Sequence, residues 1–307
     1  MSEPSTIHYL KHKEIDRSKW DRCIDTAENG LIYANSFYLD AMARNWNALV
    51  LNDYDAVMPL TWNKKYGIHY LYQPFLTAQL GVFGKSLNAH LFENFLNAVP
   101  KKFLFWDIYF NHGNIFTVQD YKFYERSNYV LDLNKSYGEL FRSYRENIQR
   151  NIKKAEQAGC KVQKDFDAEK VIALALQQMK GYAKKSGDNV IRFRKLYQYL
   201  HKQKKSITYG ITSSQNELLA SCVFFFSHNR AYYILVGNHT DGKTIGASHA
   251  VIDAFIKDHA GRKLVLDFEG SDIPGLAFFY SSFGAEEEKY SAIRLNRLPF
   301  YLKWMKK

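Results

Sequence analysis

The sequence has few features of disulfide-stabilised, zinc-binding or membrane-spanning proteins. Its 307 residues include three cysteines, Cys23, Cys160 and Cys222, which lie far apart and form no C-x-x-C pair. A disulfide framework or a metal site is therefore not expected, and a reducing, cytoplasmic compartment is the simpler expectation. No apolar run approaches about 18 residues, and the N-terminal stretch MSEPSTIHYLKHKE has no apolar core, so we expect neither a membrane span nor a signal peptide.

Acidic residues are fewer than basic ones. The chain has 42 Lys and Arg against 31 Asp and Glu, a formal net charge of +11. Such a balance favours an anionic partner, which could be a nucleic acid, a nucleotide-bearing cofactor or an acidic surface. A basic surface without any such partner remains the alternative, because net charge influences association rather than fold.

The C-terminal half contains a run of predicted strands and helices around one glycine-containing loop. Aromatic and β-branched runs separated by polar turns are typical of adjacent antiparallel strands. In order, the predicted elements are strands at 207–214, 218–226 and 231–237, a loop at 238–244, a helix at 245–259, a strand at 263–271, a helix at 273–283 and a strand at 290–295. A strand, a loop and a helix N-terminus in this order can hold an anion.

The N-terminal half repeats this order. Aligning Asp55 with Glu217 gives an offset of 217 − 55 = 162, which also aligns Tyr70 with Tyr232. The predicted elements of the first half are strands at 56–62 and 68–75, a helix at 87–99 and a strand at 103–110, and the helix and last strand follow at nearly the same offset. The segment 72–84 stands where the second half has its glycine-containing loop. We expect two domains of one fold, residues 1–133 and 134–307. The first would be a degenerate copy that binds the acceptor or serves as scaffold.

Between the halves the pattern predicts one long basic helix at 136–159. Its apolar residues recur every three or four positions, and Gly159 ends it. Two further helices are expected at about 168–185 and 193–204. Arg150, Lys153 and Lys154 lie off the apolar stripe, where they could contact phosphates of a nucleotide or of tRNA, or form a solvated face.

The order of elements and several short motifs resemble the GNAT acyltransferases, in particular the Fem-type (FemAB-like) branch. Residues 243–248, KTIGAS, resemble the Gln/Arg-x-x-Gly-x-Gly/Ala loop that holds the acyl-CoA pyrophosphate in GNAT proteins; Lys243 and Ser248 depart from that pattern. Residues 277–284, AFFYSSFG, resemble a second signature that carries a catalytic tyrosine, and 266–271, LDFEGS, resembles a Fem-type strand end. The segment 145–159 resembles the basic helix of Fem-like proteins, whose long coiled-coil arm is absent here.

The resemblance implies an α/β (α+β) fold of two tandem GNAT-like domains, each a mixed, mostly antiparallel sheet flanked by helices. It also implies that Tyr280 protonates the leaving group. Burial at a strand end would suit Glu269, or alternatively Asp267, as the base that deprotonates an amine. His249 is another possible base. The structural alternatives are a core tyrosine at 280 and a capping carboxylate at 269.

The implied donor site is the loop before the helix at 245–259. Backbone N–H groups of Gly246, Ala247 and Ser248, with the charge of Lys243, would bind an anion; the alternative is an ordinary loop whose glycine allows tight packing. Gly237 would allow the strands to part and admit the pantetheine arm. In the first half, Asp107 takes the equivalent place and could contact the acceptor.

The predicted function is therefore N-acyl transfer from acyl-CoA (acetyl-CoA) to a primary amine, without a metal. This chemistry requires a deprotonated amine, a stabilised oxyanion and a protonated leaving group, but no covalent nucleophile. An aminoacyl-tRNA-dependent transferase acting on a peptidoglycan precursor or similar amine is the second prediction. A non-catalytic anion-binding protein of the same fold is the third.

Overall fold

The computed structural model describes residues 6–178 and 187–300. The chain divides into two compact units: unit 1 comprises Met1–Arg126 and Lys289–Lys307, and unit 2 comprises Ser127–Glu288. That residues 1–133 and 134–307 are two domains of one fold stays a prediction.

Unit 1 is a mixed sheet with helices. Its elements are β1 (Ile7–Leu10), α1 (Arg17–Thr26), α2 (Ser36–Met42), β2 (Asn45–Leu51), β3 (Ala56–Lys65), β4 (Ile68–Tyr72), β5 (Phe83–Gly84), α3 (Ala89–Ala98), β6 (Phe103–Tyr109), the start of β7 (Phe123–Asp132) and most of β13 (Glu286–Asn296). The strand order is β1-β2-β3-β4-β6-β13, with β5 on β3. Only the β4–β6 pairing among these is parallel.

The core of unit 1 lies between this sheet and α3. Asn88 caps α3 by accepting a hydrogen bond from the amide of Leu91 (2.9 Å), and the helix then buries Phe92 and Phe95. Phe92 packs edge-to-face on Phe110, at a centroid distance of 5.1 Å. Aromatic rings therefore fill the space between α3 and the end of β6, the strand that contains Asp107.

Unit 2 has a sheet of the same kind. Its elements are the rest of β7, α4 (Tyr137–Ser143), α5 (Glu146–Gln157), β8 (Lys161–Lys164), α6 (Ala168–Gln178), α7 (Gly187–Lys202), β9 (Ser206–Thr212), β10 (Leu218–Ser227), β11 (Arg230–Asn238), α8 (Thr240–Thr244), α9 (Ala247–His259), β12 (Val265–Asp267) and α10 (Pro274–Ser281). The strand order is β7-β12-β11-β10-β9-β8, with β11–β12 parallel and the other pairs antiparallel. Phe255 of α9 stacks on Phe224 of β10 at 3.7 Å in the core.

In each unit the strands are mixed in direction, mostly antiparallel and flanked by helices, which confirms the predicted fold class. Each unit contains a parallel strand pair joined through a helix, β4–α3–β6 and β11–α9–β12. In the two pairs, Tyr72 lies opposite Asp107 and Tyr232 opposite Asp267. The structural offset is therefore 232 − 72 = 267 − 107 = 160, so Tyr232 corresponds to Tyr72 and not to Tyr70 as the sequence alignment predicted.

The helix predicted at 136–159 is interrupted. Tyr144 and Arg145 are extended, and α4 and α5 lie on either side of them. The amide of Arg145 donates to the carbonyl of Ser282 (2.9 Å), while the side-chain amide of Gln149 donates to the carbonyls of residues 141 and 144. Tertiary and side-chain hydrogen bonds therefore replace those of a continuous helix, which periodicity alone cannot reveal.

Other predicted elements shift as well. The strand at 290–295 was expected to complete the second half, but β13 pairs with β6 in unit 1, where Ile293 lies opposite Ile108. The loop predicted at 238–244 contains the short helix α8. The helix predicted at 168–185 is helical as far as Gln178, and positions 179–185 lie outside the described residues.

Candidate active site

The parallel pair β11–β12 separates after only three residue pairs. Arg230, Ala231 and Tyr232 lie opposite Val265, Leu266 and Asp267, where β12 ends. β11 continues to Asn238 with β10 as its pairing partner, and Ile234 forms a bulge between two paired positions. A bulge bends its strand and increases the local twist. The sheet of unit 2 thus opens at the carboxyl end of β12.

Three aromatic side chains lie where the strands part. The ring of Phe268 stacks on Tyr280 of α10, with centroids 4.6 Å apart and an interplanar angle of 21°. Tyr233 of β11 meets Phe268 edge-on at 6.1 Å. Because the amide of Phe268 donates to the carbonyl of Tyr129 (3.0 Å), β7 holds this residue in place after β12 has ended.

Tyr280 and Glu269 are brought together here. Tyr280 is 8% exposed. Burial, and secondly the negative charge of Glu269, raise the pKa of Tyr280 to about 12. The phenol is therefore protonated at neutral pH and can donate a proton. Tyr280 is packed among aromatic rings, as expected of a core tyrosine, and it also lies near a carboxylate. Its role as the acid stays a prediction.

Glu269 has a left-handed backbone, with φ of +68°, and precedes Gly270 at +81°. Its amide donates to the Asp267 carboxylate (2.9 Å). The amide of Ser271 donates to the carbonyl of Ser127 (3.0 Å). Non-glycine residues in this conformation are uncommon and concentrate at functional sites.

Asp267, the alternative base, serves a different purpose. It is 2% exposed, and its carboxylate accepts hydrogen bonds from Arg230 (2.9 Å) and Asn128 (3.0 Å). Arg230 also binds Glu288 at 2.5 Å. Opposing charges raise the pKa of Arg230 despite its burial. Through these contacts Asp267 fastens the end of β12 to β11 and β7.

His249 is not suited to deprotonate an amine. Burial lowers its pKa to about 4. The ring packs edge-to-face on Phe279 of α10 at 5.0 Å and lies 3.4 Å from the side-chain amide of Asn151. His249 therefore joins α9 to α10 and α5 as a neutral ring.

The glycine of the predicted anion loop packs against α5. Gly246 caps α9 with a φ of +83°, and a Cβ atom there would lie 2.2 Å from the carbonyl oxygen of Asn151. Ala247 is buried, Ser248 is half-buried and Lys243 is exposed on α8. Close packing and a positive φ each favour a glycine here, in line with the structural alternative, and anion binding by this loop stays a prediction.

Gly237 also allows a close helix approach. A Cβ atom at this position would lie 2.7 Å from the amide nitrogen of Ala175 in α6. The strands have already parted after Tyr232, so the opening begins before Gly237.

The three basic residues of α5 differ in their surroundings. Lys154 donates to the carbonyl of Thr244 (2.7 Å) and so fastens the loop to α5. Arg150 and Lys153 are exposed, while Ile148 and Ile152 form the buried stripe that the sequence predicted.

In unit 1 the corresponding strand pair is closed. Beyond Asp107, the amide of Tyr109 donates to the side chain of Gln73 (3.1 Å), and the amide of Leu80 donates to the carbonyl of Tyr109 (2.9 Å). Leu80 also forms a bridge with Phe110. The segment that precedes α3 therefore occupies the place where unit 2 opens, and Asp107 remains half-exposed beside it.

A buried amide cluster, Asn29, Asn111 and Asn114, holds this closing segment. All three side chains donate to the carbonyl of Val82, at 2.9–3.0 Å, and Asn114 accepts from the amide of Val82 (2.8 Å). Sequence reasoning missed the cluster, although the run NHGN directly after a buried strand was a usable signal, because buried amides require hydrogen-bond partners.

Across 6–178 and 187–300, no group of three or more His, Cys, Asp or Glu side chains could hold a metal ion. In the same residues, no helix is both long and apolar enough to cross a membrane.

Comparison with known proteins finds likeness in structure only. No protein-family model and no curated protein matches the sequence. The solved structure of FemX matches with a TM-score of 0.61 at 13% identity, over 97% of this chain and 99% of FemX. L-PGS from Bacillus licheniformis matches with a TM-score of 0.54 at 10% identity, over 94% and 95% of the two chains. The C-terminal domain of a protein assigned as a lysylphosphatidylglycerol synthetase, from Agrobacterium fabrum, matches with a TM-score of 0.55 at 8% identity, over 92% of each chain.

These likenesses extend over nearly the whole chain, and they confirm the fold that the motifs suggested. The protein has the GNAT-like fold of the Fem type. At such low identity the agreement concerns the fold, so function must be argued from the site.

Proposed function

We propose that the protein is an acyltransferase that moves an acyl group from an activated donor to a primary amine, with its chemistry in unit 2. The observation that carries this proposal is the pairing of Tyr280 with Glu269 where β11 and β12 part. A buried phenol with a pKa of about 12 lies near a carboxylate on a strained turn. Amide formation from an ester or thioester requires a base for the amine and an acid for the leaving atom, and both groups lie at this opening of the sheet.

The proposed step balances with these two groups. Glu269 accepts a proton from the amine, whose nitrogen attacks the acyl carbonyl carbon. The new C–N bond forms as the bond to the leaving sulfur or oxygen breaks, and Tyr280 protonates that leaving atom. The proton held by Glu269 then restores the phenol, so no metal or external oxidant is needed.

The donor that we propose first is an acyl-CoA such as acetyl-CoA, which would supply the thioester. Gly246, Ala247 and Ser248 would offer N–H groups of the α9 N-terminus to the pyrophosphate, with Lys243 beside them. The fit is partial, because the Cβ side of Gly246 is already filled by α5. Gly237 would act indirectly, by letting α6 support β11.

An aminoacyl-tRNA donor is the second candidate, for a transferase acting on a peptidoglycan precursor or similar amine. The exposed Arg150 and Lys153 on α5 favour it, since they are available for phosphate contact, with Lys154 at the loop. The fold likeness to a protein assigned as a lysylphosphatidylglycerol synthetase also favours aminoacyl chemistry. Asp107 is our candidate acceptor contact in unit 1. A non-catalytic anion-binding protein is the third candidate.

The catalytic proposal is tested by Tyr280→Phe, with Tyr209→Phe as the matched control. Both tyrosines are buried in unit 2, but Tyr209 lies on the far strand β9, where its hydroxyl donates to Asp258 of α9 (2.7 Å). We expect Tyr280→Phe to lower kcat by about 10²–10⁴-fold while the control keeps its activity. Unchanged turnover in Tyr280→Phe would remove the tyrosine from the mechanism.

The donor is identified by calorimetric titration with CoA, acetyl-CoA and deacylated tRNA, followed by amine screening with whichever donor binds. Arg150→Glu with Lys153→Glu should weaken tRNA binding and flatten its salt dependence, whereas Lys13→Glu with Lys101→Glu, an equal change of charge in unit 1, should not. Binding of CoA alone would exclude the tRNA donor. Binding without turnover for every amine would favour the non-catalytic candidate.

A further inference from the structure

Unit 1 contains a small hollow that the proposed chemistry does not use. Its volume is about 310 Å³, at the lower end of the range for small-molecule sites. The lining residues all belong to unit 1 and are Ile115, Phe116, Thr117, Tyr121, Phe123, Tyr124, Glu125, Lys289, Tyr290 and Ser291. Half of them are aromatic, so the hollow offers ring surfaces to a ligand of about the size of one amino acid.

Two apolar side chains at this hollow face solvent. Ile115 is 59% exposed and Tyr124 is 42% exposed. Beneath them Phe123 contacts the ring of Phe92, 6.0 Å between centroids, so the floor of the hollow is continuous with the core. Exposed apolar surface beside a concave site is the kind of surface that ligands cover.

The charged residues of the hollow form a single ion pair. Lys289 Nζ lies 2.7 Å from a carboxylate oxygen of Glu125, and both side chains are at least half exposed. Such a pair contributes little to folding, about 0–1 kcal/mol, so its partners can be exchanged at small cost. A ligand with a carboxylate and an ammonium group can replace one ion pair by two.

We propose that this hollow binds a free amino acid with an apolar side chain. Lys289 binds the α-carboxylate, Glu125 binds the α-ammonium, and the aromatic lining receives the side chain. A ligand of one charge sign satisfies only one member of the pair, so the zwitterion is preferred to the matching amine or acid. The proposal is independent of the acyl-transfer chemistry, because it concerns binding by unit 1 alone.

Calorimetry or ligand-detected NMR on the full chain tests the proposal with L-phenylalanine as probe. We expect a Kd of about 1 mM or tighter, a value ordinary for so small a ligand. 2-Phenylethylamine and 3-phenylpropanoate each lack one charged group, and L-alanine lacks the apolar body. Each should bind at least about tenfold more weakly, which corresponds to the loss of one good contact.

Lys289→Met and Glu125→Gln should each weaken L-phenylalanine binding by about tenfold or more. The matched control is the pair Lys19–Asp53, another exposed ion pair of unit 1 (2.6 Å) outside the hollow, changed to Lys19→Met and Asp53→Asn. Equal binding of the three phenyl compounds would show an apolar hollow without zwitterion recognition and overturn the proposal. Failure of all probes to bind, or unchanged affinity in the two hollow variants, would overturn it as well.

Discussion

The two units share a parallel strand pair joined through a helix, yet they differ at the end of that pair. In unit 2, β11 and β12 part after Tyr232 and Asp267, and Phe268 and Tyr280 lie at the opening. In unit 1, the pair β4–β6 reaches Tyr72 and Asp107 at equivalent positions, but the following segment fills the gap. A repeated scaffold therefore does not by itself make a site. In unit 2, none of the described residues forms a strand pairing between β11 and β12 beyond Tyr232 and Asp267.

The two equivalent aspartates, Asp267 and Asp107, should differ most in how much each stabilises the fold. We expect Asp267→Ala to lower the free energy of unfolding by about 3–5 kcal/mol, because it leaves the buried Arg230 with one partner fewer. Asp107→Ala, at a half-exposed position, should cost less than about 1 kcal/mol. Denaturant unfolding of both variants measures the difference. Equal costs would show that the two positions are not structurally distinct.

Replacing Gly246 of unit 2 tests whether close packing against α5 requires a glycine at this position. Gly246→Ala should cost about 2–4 kcal/mol, from the left-handed backbone and from the contact with Asn151. Gly261→Ala is the control, since Gly261 has a similar φ of +78° with nothing within 4 Å of the added Cβ. It should cost about 1–2 kcal/mol. If both variants unfold at the same denaturant concentration, the clash with α5 has been relieved and the loop is free to serve a ligand.

Replacing Asn114 tests whether the buried amide cluster holds the segment that closes the end of the β4–β6 pair in unit 1. Asn114→Ala deprives the buried amide of Val82 of its acceptor and should cost about 1–3 kcal/mol. Hydrogen exchange at Val82 should accelerate, whereas Asn94→Ala on the exposed face of α3 should leave it unchanged. Unaltered protection at Val82 would mean that other contacts hold the closing segment.

The smallest effect expected per residue is a pH dependence of stability, which should be greater in unit 2 than in unit 1. Burial lowers the pKa of His249 and of His259 to about 4, and both lie in unit 2. The unfolded chain takes up these protons near pH 6.5, so stability present above about pH 6.5 is lost as the pH falls towards 4. We expect each ring to contribute on the order of 1–2 kcal/mol.

Hydrogen exchange at decreasing pH should therefore show unit 2 loosening before unit 1. His249→Gln with His259→Gln should reduce this loss, whereas His90→Gln, on the exposed face of α3, should not. If unit 1 loosens first, groups other than these two rings govern the acid response.

Much of the fold follows from patterns of adjacent residues. The alternation of apolar runs and polar turns predicted the strands around Tyr232, and the stripe of Ile148 and Ile152 predicted the buried face of α5. The order of elements and the motif around Tyr280 suggested the Fem-type fold that the structural likenesses confirm. These features depend on local periodicity and element order, which the chain carries along its length.

The tertiary structure decided everything that depends on which segments meet. Arg145 leaves the helix because its amide reaches Ser282, and Gly246 is a glycine because Asn151 lies against it. The strand containing Ile293 was expected in the second half on its pattern, yet Ile293 itself pairs with Ile108 of β6. The sequence by itself determined most of the elements and their order, and it named the side chains that we propose for acid–base chemistry. Only long-range contacts determined which of the two strand pairs is open, because an opening depends on the segments that do or do not fill it.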